Sequence, residues 1–194
     1  MTLQLTKKHS FDPVLDSQKI YRRILEAISN PGQTVSIQDC ADKLYGDHPA
    51  FLAVAMALLD NEVSFHVSGN SSLADEITSL VHAKQERVEA ADFIFVCDLR
   101  NMKFVINNAK YGTHCDPHKS AIVIIQNDSE SSVHQTLSGP GINGRVELFS
   151  TQAIKDALLI RERLNHEYPL GIDFLFISSA GALQAVPRLV KVVK

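Results

Sequence analysis

The sequence predicts a three-layer α/β domain with a large mixed sheet. Two runs, FIFV at 93–96 and AIVII at 121–125, are continuously apolar, which is typical of central strands covered on both faces. The run DFLFISSAGALQAV at 173–186 predicts a hairpin that turns at 179–181. Amphipathic helices between the strands would supply the two outer layers.

The first predicted helix spans 17–29, where an isoleucine recurs at every fourth position from 20 to 28. Asp16 or Ser17 is expected to cap its N-terminus. The Asn-Pro-Gly sequence at 30–32 should end it, because a residue before proline is disfavoured in the helical region.

Three further helices are predicted. The second begins at Pro49 and continues through the run FLAVAMALLD, which is apolar almost all round and should be covered on several sides. The third has a capping box formed by Ser72 and Asp75. The fourth spans about 151–164.

Seven strand-like runs alternate with these helices and are expected to form the sheet. The chain has no internal repeat, low-complexity tract or flexible linker, so residues 1–194 are predicted to form a single domain. The seven runs lie at 35–37, 63–67, 92–96, 121–125, 133–137, 145–149 and 173–177.

Composition narrows the functional classes. The 194 residues include 19 basic and 22 acidic side chains, a net charge of −3, which argues against nucleic acid as a partner. The N-terminus shows no apolar leader, and no window is long and apolar enough for a membrane span, so we expect a cytoplasmic protein without a membrane partner. Three widely spaced cysteines predict reduced thiols rather than a disulfide framework.

The segment THCDPH at 113–118 concentrates potential metal ligands. His114, Cys115, Asp116 and His118 are zinc-ligating residue types, and His134 or His166 could complete a site after folding. No second ligand pair follows at the spacing typical of a zinc finger. We therefore expect an ordinary polar loop with Asp-Pro turn chemistry and no metal.

The segment GPGING at 139–144 formally matches the dinucleotide-binding pattern G-x-G-x-x-G. A dinucleotide site needs a helix that opens at the third glycine, whereas the next segment, RVELF, reads as a strand. A glycine-rich connection between two strands is the better interpretation. The pattern G-x-x-x-x-G-K-[ST] is absent from the sequence, so this chain is not predicted to be a P-loop NTPase.

Two further groups of charges could bind a ligand. Lys19, Arg22 and Arg23 share one face of the first helix and could hold a phosphate or phosphonate, although such a face is more often solvated or paired with acids. Asp173 opens an apolar strand, where an unpaired carboxylate would be costly. The hairpin should bring it near Arg188, in a structural ion pair rather than a catalytic one.

Several segments together resemble the PhnH family, the H subunit of the bacterial carbon-phosphorus lyase complex. The resemblance is ordered and covers nearly the whole chain. It rests on YRRILEAISNPG at 21–32, a G-T-x-x-x-P turn and apolar strand at 112–125, LSGPGI at 137–142, YPLGIDFLFI at 168–177 and AVPR at 185–188. The family-motif or ligand candidates are Arg22, Arg23, Pro31, Gly32, Gly139, Gly141, Gly171, Asp173, Pro187 and Arg188.

The resemblance implies a fold similar to the type I PLP-dependent transferases without the cofactor, and a homodimer. It implies a core complex with the G, I and J subunits, which uses ATP and an alkylphosphonate to form a ribose 1-alkylphosphonate 5-triphosphate and release adenine. In this family the H subunit has no established catalytic residue and is mainly structural, so we assign none here. The ligand-type residues at 114–118 depart from the family pattern, which weakens the metal interpretation further.

Two alternatives remain at this point. One is a structural subunit of that complex. The other is a free-standing enzyme that binds a phosphorylated small molecule at the Arg22/Arg23 face or at the turn 139–144. Homodimerisation is expected to use the apolar helix PAFLAVAMALL and the C-terminal segment LVKVV.

Overall fold

The computed structural model describes residues 9–129 and 132–193. Its strands form a seven-stranded sheet and a separate three-stranded sheet. The strands are β1 (Val35–Ser36), β2 (Ser64–Ser68), β3 (Lys84–Gln85), β4 (Phe93–Val96), β5 (Ile122–Gln126), β6 (Val133–Ser138), β7 (Val146–Ser150), β8 (Asp173–Ile177), β9 (Ala182–Val186) and β10 (Lys191–Val192).

The large sheet has the order β1-β9-β8-β5-β4-β2-β3. Strands β3, β2, β4, β5 and β8 run parallel, whereas β9 and β1 pair antiparallel, so the predicted mixed sheet is confirmed. The two continuously apolar runs are the adjacent strands β4 and β5 near its centre. The predicted hairpin is β8–β9, and its turn contains Gly181 with φ +81°.

The expectation that 133–137 and 145–149 join the same sheet is wrong. Strand β6 pairs with β7 and, on its other edge, with β10, so β10-β6-β7 is a sheet of its own. Only alternate residues of β6 and β7 are buried, among them Leu137 and Leu148, as expected for an antiparallel sheet with one covered face. These two leucines join the same apolar cluster as Val123 and Phe174 of the large sheet.

The helices of the described residues are α1 (Leu15–Ser29), α2 (Gln38–Ala41), α3 (Pro49–Leu58), α4 (Ser71–Val81), α5 (Met102–Asn108) and α6 (Gln152–Leu164). Two apolar cores lie on opposite faces of the large sheet. Helices α1, α3 and α4 contribute to the first core, which includes Phe65 and Leu175. Helices α5 and α6 contribute to the second core with the small sheet.

Both predicted helix caps are displaced towards the N-terminus. Asp16 lies inside α1, and Asp12 takes the capping role because its Oδ1 accepts from the backbone N–H groups of Val14 and Leu15 at 2.8 and 2.9 Å. In α4 the cap is Asn70, whose side chain accepts from the backbone N–H of Leu73. The proposed capping box of Ser72 and Asp75 is therefore wrong.

The apolar surfaces expected to form a dimer are largely used within the chain. Residues 50–55 of α3 are buried, and α1 packs on this helix. Val190 is buried, and Val192 pairs with β6. The exposed row of large apolar side chains at α1 instead consists of Val14, directly before the helix, and Leu15, Tyr21 and Leu25 within it.

The described helices include none with the length and apolar character that a bilayer crossing requires. The predicted absence of a leader concerns residues 1–8, which lie outside the described residues.

Candidate functional site

Asp173 and Arg188 form the ion pair that the sequence predicts. Asp173 Oδ1 accepts hydrogen bonds from the backbone N–H and the Nε of Arg188 at 2.7 and 3.2 Å, and Oδ2 accepts from Nη2 at 2.5 Å. The two side chains are only 18% and 19% exposed. Both carboxylate oxygens therefore hold the segment that follows β9 against the start of β8.

Arg188 also contacts two other segments on which the family resemblance rests. Its Nη1 donates to the carbonyl of Pro117, which belongs to the G-T-x-x-x-P turn. Gly171 has φ +145°, and a Cβ placed there would lie 3.1 Å from Arg188 Cβ. Glycine is therefore required at 171 by both its backbone conformation and the close approach of Arg188.

Arg161, on α6, is a buried residue of this site that sequence analysis missed. Its Nη1 donates to the carbonyls of Ile172, Val186 and Pro187 at 3.0–3.3 Å, and its Nη2 donates to the carbonyl of Val190 at 2.7 Å. Its guanidinium also lies over the ring of Phe174. The signal was present in the sequence, because Arg161 continues the buried row of Ile154, Ala157 and Leu158 on α6.

A cleft of about 310 Å³ opens between α6 and the C-terminal segment, and we call it the α6 cleft. It lies within the lower size range of small-molecule sites. Its lining combines cationic, polar and apolar side chains, from Arg161, Glu162, Asn165, His166, Leu170, Gly171, Arg188, Val190, Lys191 and Val192.

His166 forms one wall of the α6 cleft. Its ring packs on Tyr111 with a centroid distance of 3.7 Å, and burial lowers the pKa of His166. Its Nε2 is buried and has no hydrogen-bond partner within the described part of the chain. A buried polar atom without a partner is uncommon and is a point where a ligand or water can bind.

The segments 29–32 and 139–146 meet in a second cavity of about 340 Å³, the Gly141 groove. A Cβ at Gly141 would lie 3.0 Å from the carbonyl of Ser29, and one at Gly32 would lie 3.1 Å from Val146 Cγ1. The groove is lined by Asn30, Pro31, Gly32, Gln33, Gly141, Ile142, Asn143, Arg145 and Val146.

Gly139 links this groove to the C-terminal segment. It has φ +143°, and a Cβ there would lie 2.9 Å from both Leu189 O and Val190 Cα. The predicted interpretation of 139–144 as a connection between two strands is confirmed, because it joins β6 to β7. Motif segments that are far apart in sequence thus contact one another.

A family model described as "Bacterial phosphonate metabolism protein (PhnH)" matches residues 9–193. The chain belongs to the PhnH family. A relative from Stutzerimonas stutzeri, described as a putative C-P lyase subunit protein HtxG, is 25% identical over 162 residues. The alignment covers 83% of this chain and 78% of that relative. The α6 cleft and the Gly141 groove both lie inside the PhnH match.

The basic face of α1 lies apart from these PhnH-family contacts. Lys19 pairs with Asp39, and Arg23 Nη1 lies 3.0 Å from Glu26 Oε2. Arg22 is exposed, and no ion pair to it occurs between described residues. Two of the three cations predicted to bind a phosphate together are therefore committed to carboxylates.

The loop with the ligand-type residues is held by local hydrogen bonds. Thr113 Oγ1 accepts from the backbone N–H of Asp116 at 2.9 Å, and the Asp116 carboxylate lies 3.0 Å from Lys119 Nζ. His134 packs on Phe149 instead of approaching this loop. Across residues 9–129 and 132–193, no group of three or more His, Cys, Asp or Glu side chains is arranged to hold a metal ion. Metal content itself stays a prediction.

Proposed function

We propose that this PhnH-family protein is a structural subunit of a carbon-phosphorus lyase core complex, assembled with G, I and J subunits in bacterial phosphonate breakdown. The family match and the relative described as a C-P lyase subunit support this role. The reaction of the whole complex would be the ATP-dependent formation of a ribose 1-alkylphosphonate 5-triphosphate, with release of adenine.

The observation that best supports the structural role is the hydrogen bonding of Asp173. It is the acid at the centre of the family motifs, and both of its oxygens already accept hydrogen bonds from Arg188. A general acid or base needs an oxygen within hydrogen-bond reach of its substrate. The contacts of Asp173 instead hold β8 against the segment after β9, and Arg188 links this pair to Pro117.

We also propose one cytoplasmic domain, residues 1–194, with a fold related to the type I PLP-dependent transferases but without a cofactor. The second apolar core spans both sheets, which supports one domain. Ligands of open α/β sheets usually bind at the carboxyl ends of parallel strands. Two cavities near those ends, beside His48, measure only about 10 and 120 Å³, which is small for a cofactor.

Homodimerisation is part of the proposal, and the exposed apolar row of α1 is the surface that supports it. Light scattering should give twice the chain mass of 21.4 kDa at micromolar concentration. Leu25→Glu should shift the protein to monomer, whereas Phe104→Glu, at a comparably exposed apolar site on α5, should not. A wild-type mass that stays at one chain would refute the dimer.

The function is tested by assaying ATP-dependent adenine release with methylphosphonate. The purified protein alone should be inactive, and release should require the other core subunits together with this chain. Adenine release by the isolated protein would contradict the structural role. Full release by the other subunits without this chain would contradict its place in the complex.

A second candidate is a free-standing enzyme that binds a phosphorylated small molecule. The Gly141 groove favours it, because a glycine-rich turn and Arg145 border a cavity of about 340 Å³. This candidate predicts that Arg145→Met abolishes turnover of a phosphorylated substrate by the isolated protein. The structural-subunit proposal predicts no such turnover.

A further inference from the structure

Arg161 is a buried cation without an anionic partner. The residue is 8% exposed, and its four described hydrogen bonds all go to backbone carbonyls. No carboxylate forms a salt bridge with it among the described residues. Buried charges in proteins are normally paired, because removing them from water is costly. The carbonyls stabilise the guanidinium, but they supply no compensating net charge.

Two carboxylates, Asp173 and Glu162, act on Arg161 through their charges, but neither forms a hydrogen bond or salt bridge with it among the described residues. Asp173 is paired with Arg188, and Glu162 Oε1 accepts the backbone N–H of Val192 at 3.0 Å. Two further cationic residues line the same cleft, Arg188 and Lys191, against one acid, Glu162. Lys191 is exposed, and its ammonium makes no ion pair with a described residue. Positive charge therefore exceeds negative charge around the cleft.

Unused donors remain on these cations. Arg161 Nε donates to no described acceptor, and only Nη1 and Nη2 take part in its bonds to carbonyls. A guanidinium carries five N–H donors, so Arg161 retains donors beyond those bonds. The partnerless Nε2 of His166 lies in the same wall. The lining also has an apolar part, formed by Leu170, Val190 and Val192.

We infer that the α6 cleft binds a small oxyanion of the phosphate class, held by Arg161, Arg188 and Lys191. A tetrahedral oxyanion offers at least three oxygens, which suits cations that come from α6, from the segment after β9 and from β10. A carboxylate offers only two oxygens and one charge. The apolar lining and the volume of about 310 Å³ leave room for a small organic group on the anion. This inference does not depend on the proposed complex.

The test is a titration of the 194-residue protein with inorganic phosphate, in which two-dimensional NMR spectra of the backbone amides are recorded at each phosphate concentration. Chloride and acetate at equal ionic strength serve as reference anions. Phosphate should shift amides at 161–171 and 187–192 saturably. Lys191→Glu should weaken binding by at least about tenfold, because it removes one charge-assisted hydrogen bond to the phosphate and adds a repulsive negative charge.

Lys103→Glu, on α5, is the matched control, because Lys103 is also an exposed lysine but lies outside the cleft lining. It should leave phosphate affinity within about twofold, the change expected from long-range screening alone. His166→Gln gives a second variant in the wall that leaves both arginines in place. Thermal melts that match the wild type show that each variant is folded.

Three outcomes would overturn the inference. The first is the absence of saturable shifts at the cleft amides. The second is an equal loss of affinity in Lys103→Glu and Lys191→Glu, since that would show general surface attraction. The third is acetate binding as tightly as phosphate, since the cleft would then select charge and not a tetrahedral anion.

Discussion

The two faces of the large sheet each bury a charged side chain, but the two side chains have different partners. On the face covered by α1, α3 and α4, Asp16 is 5% exposed and its Oδ1 lies 2.6 Å from Lys43 Nζ. On the face covered by α5 and α6, Arg161 is 8% exposed, and its hydrogen bonds to described residues all go to backbone carbonyls. The first charge has an ion-pair partner, whereas the second has no salt bridge to a described residue and lies beside a cleft.

The two faces also differ in the features that could recognise a ligand. On the α1 face, Asp16 joins α1 to the segment after α2 through Lys43 and also accepts the backbone N–H of Asp12. The α6 face carries Arg161, the close approaches of Gly139 and Gly171, and the α6 cleft. Recognition of a ligand or partner is therefore expected on the α6 face and at the outer surface of α1, where apolar side chains are exposed.

Arg161→Met should produce the largest loss of stability in the molecule. The substitution keeps much of the aliphatic volume but leaves four buried carbonyls without their donor. We expect a loss of about 3–5 kcal/mol in the free energy of unfolding, as for breaking a buried charged network. Denaturant unfolding measures it. A loss below about 1 kcal/mol, the range of exposed charges, would show that the two faces do not differ in this way.

The cost to stability of the close contact at Gly139 can be measured apart from the cost of its positive φ. Gly139 and Gly144 both have positive φ, but a Cβ at 139 would meet the backbone of Leu189 and Val190, whereas one at 144 would meet nothing within 4 Å. We expect Gly139→Ala to cost about 1–3 kcal/mol more than Gly144→Ala, because only the first overpacks a contact. Thermal unfolding of the two variants compares them. Equal losses would refute a specific role for the Gly139 contact.

Asp16 should make stability on the α1 face depend on acidic pH. Burial acts to raise the pKa of Asp16, but hydrogen bonds from Lys43 and the backbone of Asp12 outweigh it and hold the pKa below the ordinary value of 3.8. The stabilisation is therefore present above pH 3.8 and is lost as the pH falls through the lower folded-state pKa.

Asp16→Asn removes this titration, so its stability should fall less steeply below pH 3.8 than that of the wild type. At neutral pH the variant should lose about 1–3 kcal/mol, the usual effect of a disrupted buried hydrogen bond to a charged group. Denaturant unfolding at pH 7 and at pH 3 measures both effects. Parallel pH curves for the two proteins would exclude Asp16 as the source.

The sequence predicted the parts of the fold that depend on local pattern. Continuous apolar runs identified the central strands, and the Ser-Ala-Gly turn identified the β8–β9 hairpin, which in turn placed Asp173 beside Arg188. The separate small sheet was not predicted, because its third strand is a two-residue pairing between β10 and β6 that is distant in sequence. The helical periodicity of α6 placed Arg161 on the buried row, but its partners could not be predicted, because backbone carbonyls carry no signal in side-chain identity.

The central claim is that the PhnH-family acid Asp173 serves structure and assembly, and a double-mutant cycle tests it most directly. Asp173→Asn, Arg188→Met and the double variant are compared in unfolding free energy, co-purification with the other core subunits, and adenine release by the complex. We expect Asp173→Asn to lose about 1–3 kcal/mol and to weaken assembly, with a coupling to Arg188 of at least about 0.5 kcal/mol. Full stability and assembly in Asp173→Asn, with adenine release lost, would contradict the account and make Asp173 a catalytic residue.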